Sequence, residues 1–218
     1  LAGQPNAQLV KLQLHPNDWY VRQARQILQH RAAQQRPMQA VHRQLLQIYR
    51  DNPDVTRRLR AMWALHVTGG TSTDWLLEQL NDEEEHVRCW SVRLLVEDPR
   101  VPGRVVTALA ERAGKDDSGL VLCYLASALQ RLPAGQCWPI ARQLVAREEF
   151  SSDRVLPMMI WYGVEKAVGS NAEEGVTLAI TARQSQVRRY ISRRLGEDLE
   201  RNQQAVNRLV MVLPTLAT

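Results

Sequence analysis

Apolar side chains recur three and four residues apart along most of this chain, in runs that have the length of helices rather than strands. From Val87 the stripe continues through Trp90, Leu94 and Leu95, and from Val121 through Tyr124, Leu125, Ala128 and Leu129. From Val155 it passes to Met158, Met159 and Tyr162. Each stripe follows an acidic or hydroxyl-bearing stretch: Asp82 to Glu85, Asp116-Asp117-Ser118 and Ser151-Ser152-Asp153. Such side chains accept the unpaired N–H groups of a first helical turn, and their negative charge suits the positive end of the helix dipole. Turn-forming sequence at Pro53, Gly69-Gly70, Pro102-Gly103, Pro133-Ala134-Gly135 and Gly169-Ser170-Asn171 separates these helices from shorter partners. The pattern predicts partner helices over 7–14, 38–50, 73–80, 103–113, 138–147, 172–182 and 203–213, with no strand.

The phrase that opens the longer helices repeats. Val21, Leu59, Val87, Val121, Val155 and Val187 are its anchors, on average about 33 residues apart, a period of helical solenoids. A helix pair of this size cannot bury its own apolar face and must stack on its neighbours. The expected fold class is therefore all-α, a right-handed α-α superhelix of about six helix pairs plus a final helix, forming a single domain over 1–218. The chain begins and ends in helix-like sequence, so it reads as a segment of a larger multidomain protein.

Asp18-Trp19-Tyr20-Val21-Arg22 and Glu84-Glu85-His86-Val87-Arg88 resemble the Asp-x-x-Val-Arg opening of the second helix in HEAT repeats, and the resemblance extends over nearly the whole chain. It implies an armadillo-like solenoid and a column of structural arginines, here Arg22, Arg60, Arg88 and Arg188, held by acidic residues near neighbouring turns. Leu122 and Leu156 stand where that arginine is expected, which interrupts the column. A narrower resemblance is carried by Leu14-His15-Pro16-Asn17-Asp18-Trp19, Leu59-Arg60-Ala61-Met62-Trp63-Ala64-Leu65 and Met158-Met159-Ile160-Trp161-Tyr162. These phrases look like the helical middle segment of planctomycete-type membrane-bound dehydrogenase-like proteins, which join a propeller, a HEAT segment and a CxxCH cytochrome domain and are exported. The resemblance implies a spacer between catalytic and electron-transfer modules, with a periplasmic or exported location.

Composition adds a basic balance: 28 Lys and Arg against 23 Asp and Glu, a formal charge of +5, with only three lysines. Residues 1–60 carry +7, so a nucleic-acid-binding protein of the alkylpurine DNA glycosylase type is the alternative reading, with Trp63 and Trp90 as available aromatics. Both tryptophans look inward-facing, and a structural column accounts for the arginines, because a guanidinium can serve two oxygens in fixed geometry. The histidines His15, His30, His42, His66 and His86 form no HExxH motif, and Cys89, Cys123 and Cys137 lack metal-site or haem spacing. No Walker loop, GxSxG or GxGxxG occurs, and Gly69-Gly70 reads as a helix C-cap before an N-cap at Thr71-Ser72-Thr73. No cofactor and no metal are expected. No apolar run reaches eighteen residues, and Leu1 to Val10 lacks signal-peptide character.

The expected function is a non-catalytic scaffold or protein-interaction module that contacts protein domains in cis or in trans. Trp161 falls one position off the Met158-Met159 face and is a candidate partner contact. Val206, Leu209, Val210, Val212 and Leu213 give the last helix an apolar stretch, closed by Pro214 and Thr218. Val210 and Val212 are therefore candidate contacts for a neighbouring domain or for weak self-association.

Overall fold

The computed structural model describes residues 1–212, and among them the secondary structure is helical throughout, with no strand. The expected positions of Leu213, Pro214 and Thr218 lie outside the described residues. Tertiary contacts group the chain into two compact units, Leu1–Trp90 and the residues from Ser91 onward.

In the first unit α1 (Asn6–Lys11) runs into a 3₁₀ turn (Leu12–Leu14), followed by α2 (Asp18–Ala33), α3 (Gln39–Asp51), α4 (Val55–Val67) and α5 (Thr73–Gln79). The boundary between units falls inside α6 (Glu85–Leu95). Helix α1 packs on α2, α3 packs on α4, and the pairs stack as α1 on α3 and α2 on α4. Val21, Leu28, Leu45, Met62 and Leu65 fill the space between them. Asn17 and Asp54 cap α2 and α4 by accepting the N–H of Trp19 at 2.9 Å and of Thr56 at 2.8 Å. Gly69 takes φ +76°, the left-handed conformation that closes a helix, and the Gly70 N–H returns to the Leu65 carbonyl. Ser72 then caps α5 on the Trp75 N–H, so the glycine pair ends one helix immediately before the next cap, as its sequence implies.

The second unit continues with α7 (Gly103–Lys115), α8 (Gly119–Leu129), α9 (Ala134–Val145), a 3₁₀ turn (Glu148–Phe150), α10 (Leu156–Ser170), α11 (Ala172–Thr181), α12 (Ser185–Gly196) and α13 (Gln203–Val212). The helices form two layers: α7, α9, α11 and α13 pack in succession on one side, and α8, α10 and α12 on the other. Each layer closes the apolar face of the other, which is the solenoid principle at the scale of this unit. Helix α9 starts at Ala134, four residues before the expected position, because Pro133 has the fixed φ that suits a helix entrance. Pro139 is accommodated inside it at the loss of one backbone hydrogen bond.

One anchor is displaced. Val21, Val87, Val121 and Val187 are fully buried and Leu59 nearly so, but Val155 is 56% exposed. The buried stripe of α10 is Leu156, Ile160, Val164 and Ala167, one residue later than the expected Val155, Met158, Met159 and Tyr162. Met158 and Met159 are half-buried, and Tyr162 is 53% exposed. The cause is the turn that leads into the helix: Asp153 Oδ1 accepts the N–H groups of Val155 and Leu156 at 2.8 and 2.7 Å, and Pro157 fits the first turn only. Those two N–H bonds hold the Asp153 carboxyl below its ordinary pKa. Its stabilising effect is complete above the unfolded carboxylate value and disappears as pH falls through the lowered one. Asp153→Ala is expected to cost the second unit about 1 kcal/mol, the usual net value of a hydrogen bond. Urea midpoints at pH 7 and pH 3 check this: the difference between wild type and variant should shrink in acid.

Candidate functional site

The arginines of the repeat column take up distinct local bonds. In the first unit Asp18 receives two of them: Arg22 Nε donates to Oδ2 at 2.5 Å, and Arg60 Nη2 donates to Oδ1 at 3.3 Å. Arg60 Nη1 also reaches the His15 carbonyl at 3.0 Å, tying the start of α4 to the turn before α2. Arg22 itself lies on the surface, its side chain 71% exposed. Arg88 is buried and donates to the carbonyls of Asp82 and Glu83 at 3.0 and 2.9 Å. In the second unit Arg188 Nη2 donates to the Ala182 carbonyl at 2.5 Å. Arg22 and Arg60 thus have an acidic partner in Asp18, and Arg88 and Arg188 brace turn carbonyls. A turn between two helices leaves carbonyls without intrahelical donors, and a guanidinium satisfies two at once.

Sequence reading missed a second polar cluster in the first unit. Arg58 Nη2 donates to Asp82 Oδ2 at 2.5 Å, with both side chains largely shielded. The Tyr49 hydroxyl donates to Gln79 Oε1 at 2.6 Å and lies 3.3 Å from Asp82 Oδ2. Burial, then the Asp82 charge, pushes the Tyr49 hydroxyl up to about 12. The Arg58 guanidinium sits 5.0 Å from the Tyr49 ring centre.

Aromatic side chains recur on the second helix of each pair. Trp63 and Trp90 are half-buried against each other, with ring centres 4.7 Å apart and planes at 64°, and the Arg25 guanidinium lies 5.3 Å over Trp63. In the second unit Trp161 is half-buried and stacks on Tyr190 at 5.6 Å and 27°. Its neighbour Tyr162 is the more exposed ring. The signal that could have shown this row is the aromatic three to five residues after Leu59, Val87, Val121, Leu156 and Val187: Trp63, Trp90, Tyr124, Trp161 and Tyr190.

Helix α13 buries Ala205 and Leu209 against α11 and α12. Val210 is 58% and Met211 81% exposed, while Val212 is half-buried. The exposed edge of this helix is therefore Val210-Met211 rather than Val210 with Val212.

The three cysteines are free thiols. Burial raises the Cys137 thiol to about 11; burial and then the Asp153 charge raise that of Cys123, the least buried of the three. Among the described residues no three His, Cys, Asp or Glu side chains are grouped to hold a metal ion, and no helix is long and apolar enough to cross a membrane. No family model and no curated protein matches this chain.

Proposed function

We propose that the chain is a helical scaffold and protein-interaction module, without catalysis of its own, that spaces or docks the domains of a larger exported dehydrogenase-like protein. The observation that carries this reading is the set of large apolar side chains left open in the second unit: Leu120, Val155, Tyr162, Val210 and Met211 lie exposed on the two-layer stack. Exposed apolar side chains of that size on a packed frame are what a protein partner covers. The arginine column supports the same reading, because Arg60, Arg88 and Arg188 bond to the chain's own turns. The HEAT-like phrases and the dehydrogenase-like phrases agree with a spacer whose partners are a propeller and a CxxCH cytochrome domain.

The test is the solution state of the 218-residue chain. Weak self-association through α13 is expected, and Val210→Lys with Met211→Lys shifts it to monomer without loss of helicity, as read by sedimentation and far-UV circular dichroism. A wild type that is already monomeric and unchanged by the lysines removes α13 as a docking edge.

The nucleic-acid alternative is favoured by one observation, the Arg25 guanidinium over Trp63 beside Trp90, since a base stacks on such a pair. A mobility-shift titration decides it: tight duplex or single-strand binding that weakens steeply with salt replaces the scaffold reading.

A further inference from the structure

A depression of about 290 Å³ opens in the second unit beside α8 and α10, and nothing in the repeat logic requires it. Its apolar lining is Val96 and Ala128, both buried, with the half-buried Met159. Its cationic lining is Arg93, in the last turn of α6, and Arg131, just past the end of α8. Arg131 is exposed and Arg93 half-buried. Unlike Arg60, Arg88 and Arg188, neither guanidinium has a hydrogen-bond or ion-pair partner among the described residues. Asp153 acts on Cys123, whose thiol it raises, and its carboxylate is engaged by the N–H groups of Val155 and Leu156.

We propose that this depression binds an acidic peptide segment, with one apolar side chain laid on Val96, Ala128 and Met159 and flanking carboxylates paired with Arg93 and Arg131. The inference rests on the protein-interaction reading and gives the partner a chemistry. Charge complementarity selects the occupant: two open guanidinium forks match carboxylates bidentately, and the apolar part of the same lining gains from excluding water. A nucleic-acid backbone fits less well, because it needs cations spaced along a track rather than two around an apolar cavity. Charge complementarity gives specificity more than raw affinity, so an uncharged peptide of the same shape is discriminated against.

Cys123 also lines the depression and serves as a built-in reporter, while Cys89 and Cys137 are 1% and 2% exposed and act as internal controls. The probe is the capped peptide Glu-Glu-Leu-Glu-Glu, compared with Gln-Gln-Leu-Gln-Gln, and the readout is the rate of Cys123 alkylation by iodoacetamide in the 218-residue chain. The glutamate peptide is expected to slow Cys123 in a saturable manner while the glutamine peptide does not. Arg93→Gln with Arg131→Gln should weaken that protection about tenfold or more, the loss of at least one charge-assisted hydrogen bond. Equal protection by both peptides, or no protection by either at about 1 mM, the weak limit of specific binding, overturns the proposal. Stronger protection by a single-stranded oligonucleotide overturns it in favour of the nucleic-acid reading. A variant that loosens the fold reveals itself by alkylation at Cys89 and Cys137, and the glutamate-glutamine contrast on the wild type then decides alone. Failure here leaves the α13 self-association result intact, so the two readings fall separately.

Discussion

Replacing Asp82 by alanine is expected to destabilise the first unit by about 3 kcal/mol, the range for removing one partner of a shielded ion pair. Three groups depend on that carboxylate. Arg58 loses its 2.5 Å acceptor, the Tyr49 hydroxyl loses its second oxygen, and the Glu84 N–H loses the Oδ1 bond that opens α6. Arg58 is left shielded without a counter-ion, which is the costly part. Asp82→Asn separates the contributions, because asparagine caps a helix as well as aspartate does but carries no charge. It should lie between wild type and alanine in urea midpoint. Arg58→Met with Asp82→Ala should cost less than the sum of the single changes, since neither charge is then stranded.

The same cluster produces an alkaline signature. The Tyr49 pKa is raised to about 12 in the folded chain, so this site stabilises fully below the ordinary tyrosine value and loses its effect as pH rises through the raised one. Removing Asp82 takes away a charge that opposes ionisation, so in Asp82→Ala the tyrosinate absorbance of Tyr49 should develop at lower pH. An unchanged titration would mean that burial alone holds the hydroxyl.

Glycine substitutions in α10 should have opposite signs six residues apart. A Cβ on Gly163 would stand 2.7 Å from the Ala126 carbonyl oxygen and 2.9 Å from Leu129 Cβ, both fixed parts of α8. Gly163→Val is expected to cost about 3 kcal/mol, the upper range for overpacking, because α8 and α10 must separate. Gly163→Ala should also destabilise, against the intrinsic preference of helices for alanine. At Gly169 the new Cβ meets only the end of the Arg194 side chain, which can swing aside. Gly169→Ala is expected to stabilise by about 0.5–1 kcal/mol through helix propensity and the entropy of the unfolded chain. Thermal melts of the three variants check the sign; a destabilised Gly169→Ala would mean that Arg194 cannot relocate.

The helices and their order were legible because their determinants are local. Period-3.6 apolar stripes, Asn17, Asp54, Ser72 and Ser118 at the caps, and the left-handed Gly69 all act within a few residues. Register in α10 was not legible: Val155 and Leu156 are adjacent and both apolar, and the choice between them rests on where Asp153 bonds. The arginine positions were visible, but not their acceptors, because a carbonyl oxygen carries no mark in the sequence. Arg88 and Arg188 thus bond turn carbonyls that no sequence pattern marks.

What the sequence determined by itself is an all-helical chain of paired helices with a buried anchor near the start of each second helix. Which surfaces remain open was decided only in three dimensions. Arg58 and Arg93 are both helical arginines; one is fixed by Asp82, twenty-four positions along the chain, and the other lines a depression whose lining among the described residues includes no carboxylate. Trp161, the candidate contact residue, lies half-buried on Tyr190, and its neighbour Tyr162 is the more exposed ring. The physical reason is range: turns and caps are settled by neighbours in sequence, whereas pairing, exposure and cavities depend on which helix faces are brought together by stacking.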